Sequence, residues 1–477
     1  MAGNLRGPLT RRNLASRSAE RWIVALCALA LVATACGTRA NFTSSPEVRQ
    51  TQIIDQLIGG TASKGSSGTA GSYRVVSQAG LPDLLAGSGL QNGTIHVGGL
   101  FPLSGGLSAL GVPPAQAAAA YFRWVNDHGG INGYKINFTP CDDQADDVQS
   151  QACTERLINQ GMFVMGPSFT PFSTSVVPML EKKGVPWIGY DGINIEGFSS
   201  KLVVTVGAPI QTMGHALFPY WYHKITKDTG SAPSKIGVVY LDAAPARTYV
   251  TEVQKVICPK LGCTLSPVKS VTYYTLDYSS ICLNMQSANV DAVWIVTDPA
   301  SAVKMLVQCR ELHYKPRAGW LGQHGIYLNL TVQQSGSWAD GMIANSALLP
   351  ASVNDPAVNT MKKIVGTYEH DIDFGYFTEL GYASAQLTVD VIREALKFDP
   401  KLSRASVLEA AARLTSYDCH GLCRDVNLAP PAAINGGNHW VWMVRAKYDP
   451  SAPSQWVLDG GPVDAWQSET WPRPGRP

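Results

Sequence analysis

The segment Gly166-Pro-Ser-Phe-Thr-Pro-Phe-Ser-Thr-Ser constrains the fold more than any other part of the chain. An apolar run, Met162 to Met165, precedes it, and a helix-length stretch to Lys183 follows. A second apolar run then ends in Gly189-Tyr190-Asp191. Two short apolar runs joined by one helix read as adjacent parallel strands, so both end on one rim. In open α/β sheets ligands bind at that rim, where helix N-termini offer unpaired N–H groups and Ser or Thr hydroxyls add directed hydrogen bonds. The segment therefore reads as a small-molecule binding loop; capping of the next helix is the other use of the same hydroxyls.

The same order recurs along the chain. Ile95 to Leu100 is a strand, Ala115 to Asp127 a helix closed by His128-Gly-Gly, Lys135 to Thr139 a strand and Val148 to Gln160 a helix. Strands are also expected at Val185 to Gly189 and near Val203 to Val206. A second series has strands at Lys235 to Leu241, Val268 to Tyr273, Ala292 to Val296 and Ala318 to Leu321, with helices Ala246 to Cys258, Ser279 to Gln286 and Ala300 to Leu312 between them. Such alternation builds parallel βαβ units, and two α/β lobes joined near Val206 to Pro209 and Leu321 to Gly325 are the economical arrangement. Helices follow at Phe377 to Ala395 and Arg404 to Leu414, then a hairpin pair at Trp440 to Ala446 and Gln455 to Asp459.

The chain has 477 residues, 45% of them hydrophobic and 16% charged, enough to bury sizeable cores. A net charge of +2 with dispersed Lys and Arg leaves nucleic-acid binding without an electrostatic footprint. Residues 1–35 read as a signal peptide: Arg6, Arg11, Arg12, Arg17 and Arg21 precede an apolar run from Trp22 to Ala35. The run closes on Leu31-Val-Ala-Thr-Ala-Cys36-Gly, which resembles a bacterial lipobox with Cys36 as the lipidated residue. Thr10-Arg11-Arg12-Asn-Leu resembles a twin-arginine signal, so both export routes stay open. Residues 36–92, rich in Ser, Gly and Thr, read as a lipid anchor followed by a flexible tether, with one short helix near Glu47 to Leu57.

Of ten cysteines, Cys27 lies in the removable segment and Cys36 at the lipid site. The remaining eight suit disulfides in an oxidising compartment. Sequence proximity pairs Cys141 with Cys153, Cys258 with Cys263, Cys282 with Cys309, and Cys419 with Cys423. A metal site at Cys419-His420-Gly-Leu-Cys423 competes with the last pair, but no second ligand pair stands at recognisable spacing. No metal and no cofactor is expected.

Val97-Gly-Gly-Leu-Phe-Pro-Leu-Ser-Gly, Asn126-Asp-His-Gly-Gly-Ile-Asn-Gly, the Gly166 loop and Gly381-Tyr-Ala with its helix together resemble the type I periplasmic substrate-binding proteins of ABC transporters, branched-chain amino acid branch. The resemblance runs from about Thr94 to about Leu458. It implies an α/β fold of two Rossmann-like lobes joined by three hinge crossovers. The spans it implies are 93–207 for the first part of lobe 1, 208–322 for lobe 2, 323–430 for a return to lobe 1 and 431–477 for a segment crossing back. A ligand is held as the hinge closes, and it biases closure only by its differential affinity for the two states.

On the first lip the candidate contacts are Ser104, Ser168, Phe169, Thr170, Tyr190 and Asp191; on the second they are Arg247 and Asp298, with Gln323 and His324 at the join. The resemblance implies a hydroxyl near Thr170, which agrees, and small or hydroxyl residues near Asp191 and Ile193, which does not. It also implies an aromatic near Ala246 and an acid near Ser301, for which Arg247, Tyr249 and Asp298 are the substitutes. Asp191 reads equally as a turn acceptor and Asp298 as a helix cap.

The function implied is capture of a small polar molecule, an amino acid or related compound, for delivery to the permease and ATPase subunits of an ABC importer. The expected location is the outer face of the bacterial cytoplasmic membrane, through the lipid anchor. A ligand sensor feeding a signalling partner is the alternative, and an envelope hydrolase a third. No Gly-x-Ser-x-Gly elbow, His-Glu-x-x-His helix or phosphate loop occurs, so no enzyme is expected. Asp142-Asp143 and Asp146-Asp147 are read as solvated acids opening a helix.

Overall fold

The computed structural model describes residues 93–432, 437–452 and 454–472. The signal peptide, the tether with its short helix, and Cys36 lie outside the described residues. Lobe 1 begins with β1 (Thr94–Phe101), α1 (Ser108–Asp127), β2 (Lys135–Asp142), α2 (Asp147–Asn159), β3 (Val164–Met165), α3 (Ser173–Lys183), β4 (Trp187–Ile188) and β5 (Val203–Val204). Its five strands pair in parallel in the order β2-β1-β3-β4-β5. Helix α1 starts seven residues before its expected start and carries Pro113 and Pro114 inside it. Apolar β1 runs nearly fully buried, as a central parallel strand covered on both faces must.

Lobe 2 contains α4 (Ile210–Thr229), β6 (Lys235–Leu241), α5 (Ala244–Glu252), α6 (Cys258–Leu261), β7 (Thr264–Val271), α7 (Ser279–Ser287), β8 (Ala292–Val296), α8 (Pro299–Glu311), β9 (Trp320–Leu321), α9 (Asn329–Ser335) and β10 (Ile343–Ser346). The chain then returns to lobe 1 through α10 (Pro356–Tyr368), α11 (Tyr376–Leu396) and α12 (Arg404–Arg413), and ends with β11 (Trp440–Ala446) and β12 (Trp456–Asp464). The second sheet has the order β12-β11-β10-β9-β8-β6-β7, parallel except where β11 pairs with β10 and β12.

Strand β10 corrects the expected boundary at residue 322/323. It lies between β9 and β11 in the second sheet, so the chain leaves lobe 2 after Ser346. Its four residues include Asn345 and Ser346, both fully buried, and so offer no apolar run to recognise. Helix α4 also went unread: Ile210 to Pro219 are all buried, which erases the polar face that a periodicity reading needs.

Long α11 is the keystone of lobe 1, with 18 of its 21 residues buried. It lies on α1, where Tyr382 meets Tyr121 edge-on at 5.0 Å. Gly381 is required there, because a Cβ would stand 2.4 Å from the Pro114 carbonyl oxygen. Arg404, at the first residue of α12, is buried and sends Nε to the Phe163 carbonyl at 2.8 Å and Nη2 to that of Met162 at 2.7 Å, tying the entry to β3.

The chain passes between the sheets after β5, after β10 and before β11. Asn438, on the third crossing, donates through Nδ2 to the Val206 carbonyl at 2.8 Å on the first and to the Ala347 carbonyl at 3.0 Å on the second. Glu379 of α11 accepts from the Ala351 N–H at 2.7 Å and the Tyr327 hydroxyl at 2.9 Å, so a lobe 1 helix grips the second crossing and a lobe 2 turn. Burial pushes its carboxyl up to about 7. Disulfides join Cys141 to Cys153, Cys258 to Cys263, Cys282 to Cys309 and Cys419 to Cys423.

Candidate functional site

The carboxyl ends of both sheets face one cavity. It lies between loops that follow β1, β3 and β4 on one side and β6, β7, β8 and β9 on the other. Lobe 1 contributes Leu107, Leu110, Phe169, Pro171, Ile193 and Phe377; lobe 2 contributes Leu241, Ala243, Pro245, Ala246, Tyr249, Tyr273, Val296, Thr297, Asp298, Gln323, His324 and Gly325, with Ile210 at the hinge. The lips approach closely, since a Cβ on Gly106 would stand 3.3 Å from Tyr273 Cβ. The lining is largely apolar, in contrast to the small polar ligand expected.

Four of the ten expected ligand contacts, Phe169, Asp298, Gln323 and His324, line this cavity. Phe169 packs against Phe377 with ring centroids 4.4 Å apart. Asp298 uses Oδ1 to cap α8 through the Ser301 N–H at 3.0 Å, while its buried Oδ2 accepts no hydrogen bond from the protein. The capping role is thus real and leaves half the carboxylate free. Gln323 spends its amide locally, accepting from the Gly325 N–H at 2.7 Å and donating to the Thr297 carbonyl at 3.1 Å.

The other six are turned elsewhere, each by a partner remote in sequence or hidden by a local turn. Ser104, exposed, donates to Asp142 Oδ2 at 2.7 Å. Ser168 accepts from the Leu100 N–H and donates to the Gly166 carbonyl. Thr170 is fully buried; its hydroxyl stands 3.4 Å from Ser150 Oγ, inside lobe 1. Tyr190 is fully buried, its phenol bonded to Ser173 Oγ at 3.0 Å and held well above its ordinary pKa, first by burial and then by the Asp191 charge. Asp191 is the turn acceptor, taking the Thr170 N–H at 2.7 Å and the Ile193 N–H at 2.9 Å. Arg247 pairs with Asp242 at 2.6 Å on the solvent side.

The acids before α2 divide. Asp146 caps the helix through the Gln149 N–H at 3.0 Å, as an opening acid should. Asp143 is not solvated: it is fully buried, accepts from Ser150 Oγ, and burial raises its pKa. The Asp143 charge adds to the desolvation that pushes Asp191 up to about 7.

Loops after three strands of the first sheet and four strands of the second thus meet at one cavity, and the chain crosses between the sheets three times. The sequence model of a family described as periplasmic binding protein matches residues 94–450. The chain belongs to that family. A Leu/Ile/Val-binding protein homolog 7 of Brucella suis is 28% identical over 243 residues, which are 49% of this chain and 60% of that relative; the match thus spans less than two thirds of the relative's length. A homolog 8 of Brucella abortus is 24% identical over 58% of this chain and 69% of its own. Among solved structures, a fatty acid ABC transporter substrate-binding protein from Thermomonospora curvata superposes with a TM-score of 0.70 at 18% identity, covering 80% of this chain and 96% of that one. A branched chain amino acid ABC transporter protein from Thermus thermophilus with bound valine gives 0.68 at 18% identity, covering 78% and 96%. The fold is that of the type I periplasmic binding proteins, and the matched family is one of binding proteins.

Within this family fold, the residues hardest to find from sequence were apolar wall positions. Leu107, Leu110, Leu241 and Phe377 read as ordinary core residues, because a wall and a core share one composition. His324 and Tyr249, singled out by position beside a join and beside the expected aromatic, do reach the cavity.

Proposed function

We propose that this protein is an extracytoplasmic solute-binding protein that captures a small, mainly apolar molecule between its lobes and delivers it to an ABC importer. The observation that carries this reading is the cavity lined from the strand ends of both sheets, which are joined by three crossings that Asn438 ties together. A solute touching both lips gains contacts only when they meet, which is the differential affinity that drives closure. The relatives' printed names support a solute of apolar character: Leu/Ile/Val for the Brucella proteins, fatty acid and bound valine for the two solved structures.

Export is supported by the four disulfides, which persist in oxidising compartments, and by the signal-like residues 1–35. Lipidation at Cys36 would hold the body at the membrane face, where permease and ATPase subunits await the loaded form. A thermal-shift screen of amino acids, amines, carboxylates, amides and sugars tests capture, because a ligand bound only by the folded state raises the midpoint. No shift with any solute class would sink the reading. Fractionation of a Cys36→Ser variant tests the anchor: release from membranes is expected, and retention would argue against lipidation.

A further inference from the structure

Resting on the solute-binding reading, the arrangement of polar atoms around the cavity narrows the solute's chemistry. Among the described residues, the lobe 1 loop groups expected to receive an anion are already engaged. The hydroxyls of Ser168 and Thr170 are engaged inside the lobe. Three N–H groups of the loop are spent too: that of Phe169 on the Leu100 carbonyl at 2.8 Å, that of Thr170 on Asp191, and that of Phe172 on Thr170 Oγ1. Among the described residues no Lys or Arg lines the cavity. A carboxylate placed there would be stripped of water without a cationic partner.

Unspent polar capacity lies on the other side. Asp298 is 4% exposed, and its Oδ2 lacks a partner. The Asp298 charge adds to burial in raising the pKa of Tyr273, which also lines the cavity. His324 Nδ1 and the Tyr249 hydroxyl are likewise buried without partners. Burial holds His324 down to about 3, so its ring is neutral and adds no positive charge. The cavity therefore has apolar walls, one carboxylate and neutral hydrogen-bonding groups beside it. We propose that the solute is an apolar amine without a carboxylate, its ammonium group received by Asp298.

Calorimetry on the purified full chain with two matched sets decides this: 3-methylbutylamine, leucine and 4-methylpentanoate; 2-phenylethylamine, phenylalanine and 3-phenylpropanoate. The amine of at least one set is expected to bind about tenfold or more tighter than its amino acid and its acid. Asp298→Asn keeps a good helix cap and should weaken amine binding about tenfold or more, and Ala246→Trp, which fills the cavity, should abolish it. The comparison on the unmodified protein stands even if a variant fails to fold. Tighter binding of an amino acid or acid, lost in Ala246→Trp, overturns the amine assignment and leaves solute capture standing. Amine binding that survives either folded variant overturns it as well. Silence from all six probes also overturns it, and the wider solute screen then decides whether capture itself survives.

Discussion

The backbone N–H of Thr170 donates to Asp191 Oδ2 at 2.7 Å, so the loop that ends β3 is held in place by a carboxylate that ends β4. The residue best matched to an amino-acid receptor and the residue that breaks the pattern are partners. Asp191 takes up the N–H that a ligand carboxylate would need, and the Thr170 side chain faces Ser150. Phe169 and Pro171, on either side of Thr170, are left to form the apolar wall.

Asp191 gives this loop a pH signature. Its folded pKa, pushed up to about 7 chiefly by burial, lies above the ordinary value of 3.8. Between those values the folded state keeps a proton that the unfolded chain releases, so the site's contribution to stability falls as pH rises from about 4 to about 7. Asp191→Asn should remove that slope. Urea titrations of both proteins should differ by roughly 2 kcal/mol more at pH 5 than at pH 8, the aspartate protein losing ground as pH rises. Parallel curves would refute the assignment.

Thr170→Ala should cost stability with little effect on affinity. Its hydroxyl serves Ser150 and the Phe172 N–H inside the lobe, so removal should destabilise by about 1–2 kcal/mol. Affinity for whichever probe binds should stay within about threefold. A large affinity loss without a stability loss would return Thr170 to the site.

Asn438→Ala should loosen the hinge. It frees two buried carbonyls, Val206 and Ala347, on two crossings at once. A loss of about 2–4 kcal/mol in denaturant titration is expected, with a larger solution radius of gyration for the unliganded protein. Unaltered scattering would mean that the crossings are held by other contacts.

Arg404→Lys keeps the charge but not the fork that reaches two backbone carbonyls. A loss of about 2–3 kcal/mol is expected, read as a lower urea midpoint. A midpoint matching the parent would show that one ammonium suffices.

The disulfides should rank by the loop each closes. Replacing Cys282 and Cys309 by Ser opens a separation of 27 residues and should cost about 3–4 kcal/mol; the same change at Cys419 and Cys423, four residues apart, should cost about 2 kcal/mol. Melting temperatures of the two double variants check the order, and its reversal would show that native contacts outweigh loop closure.

Much of the fold was legible because its signals are local. Strand β6 and helices α2, α7, α8 and α11 stand within a residue or two of where apolar runs and capping residues put them. Cysteines close in sequence pair with one another. Strand β10 and helix α4 were not legible, since burial on all sides leaves no alternation to read. The site divided in the same way. Its loops were located from strand ends, but only Phe169, Asp298, Gln323 and His324 of the ten expected residues line the cavity.

The sequence by itself determined the alternating α/β order, the family and the rim on which a solute would sit. Tertiary structure alone decided which side chains face that rim. A hydroxyl or carboxylate turns toward its strongest available partner, and for Thr170 those partners are Ser150, 20 residues before it, and Asp191, 21 residues after. Those contacts exist only once the strands lie side by side, so spacing along the chain could locate the loop but not the direction of its side chains.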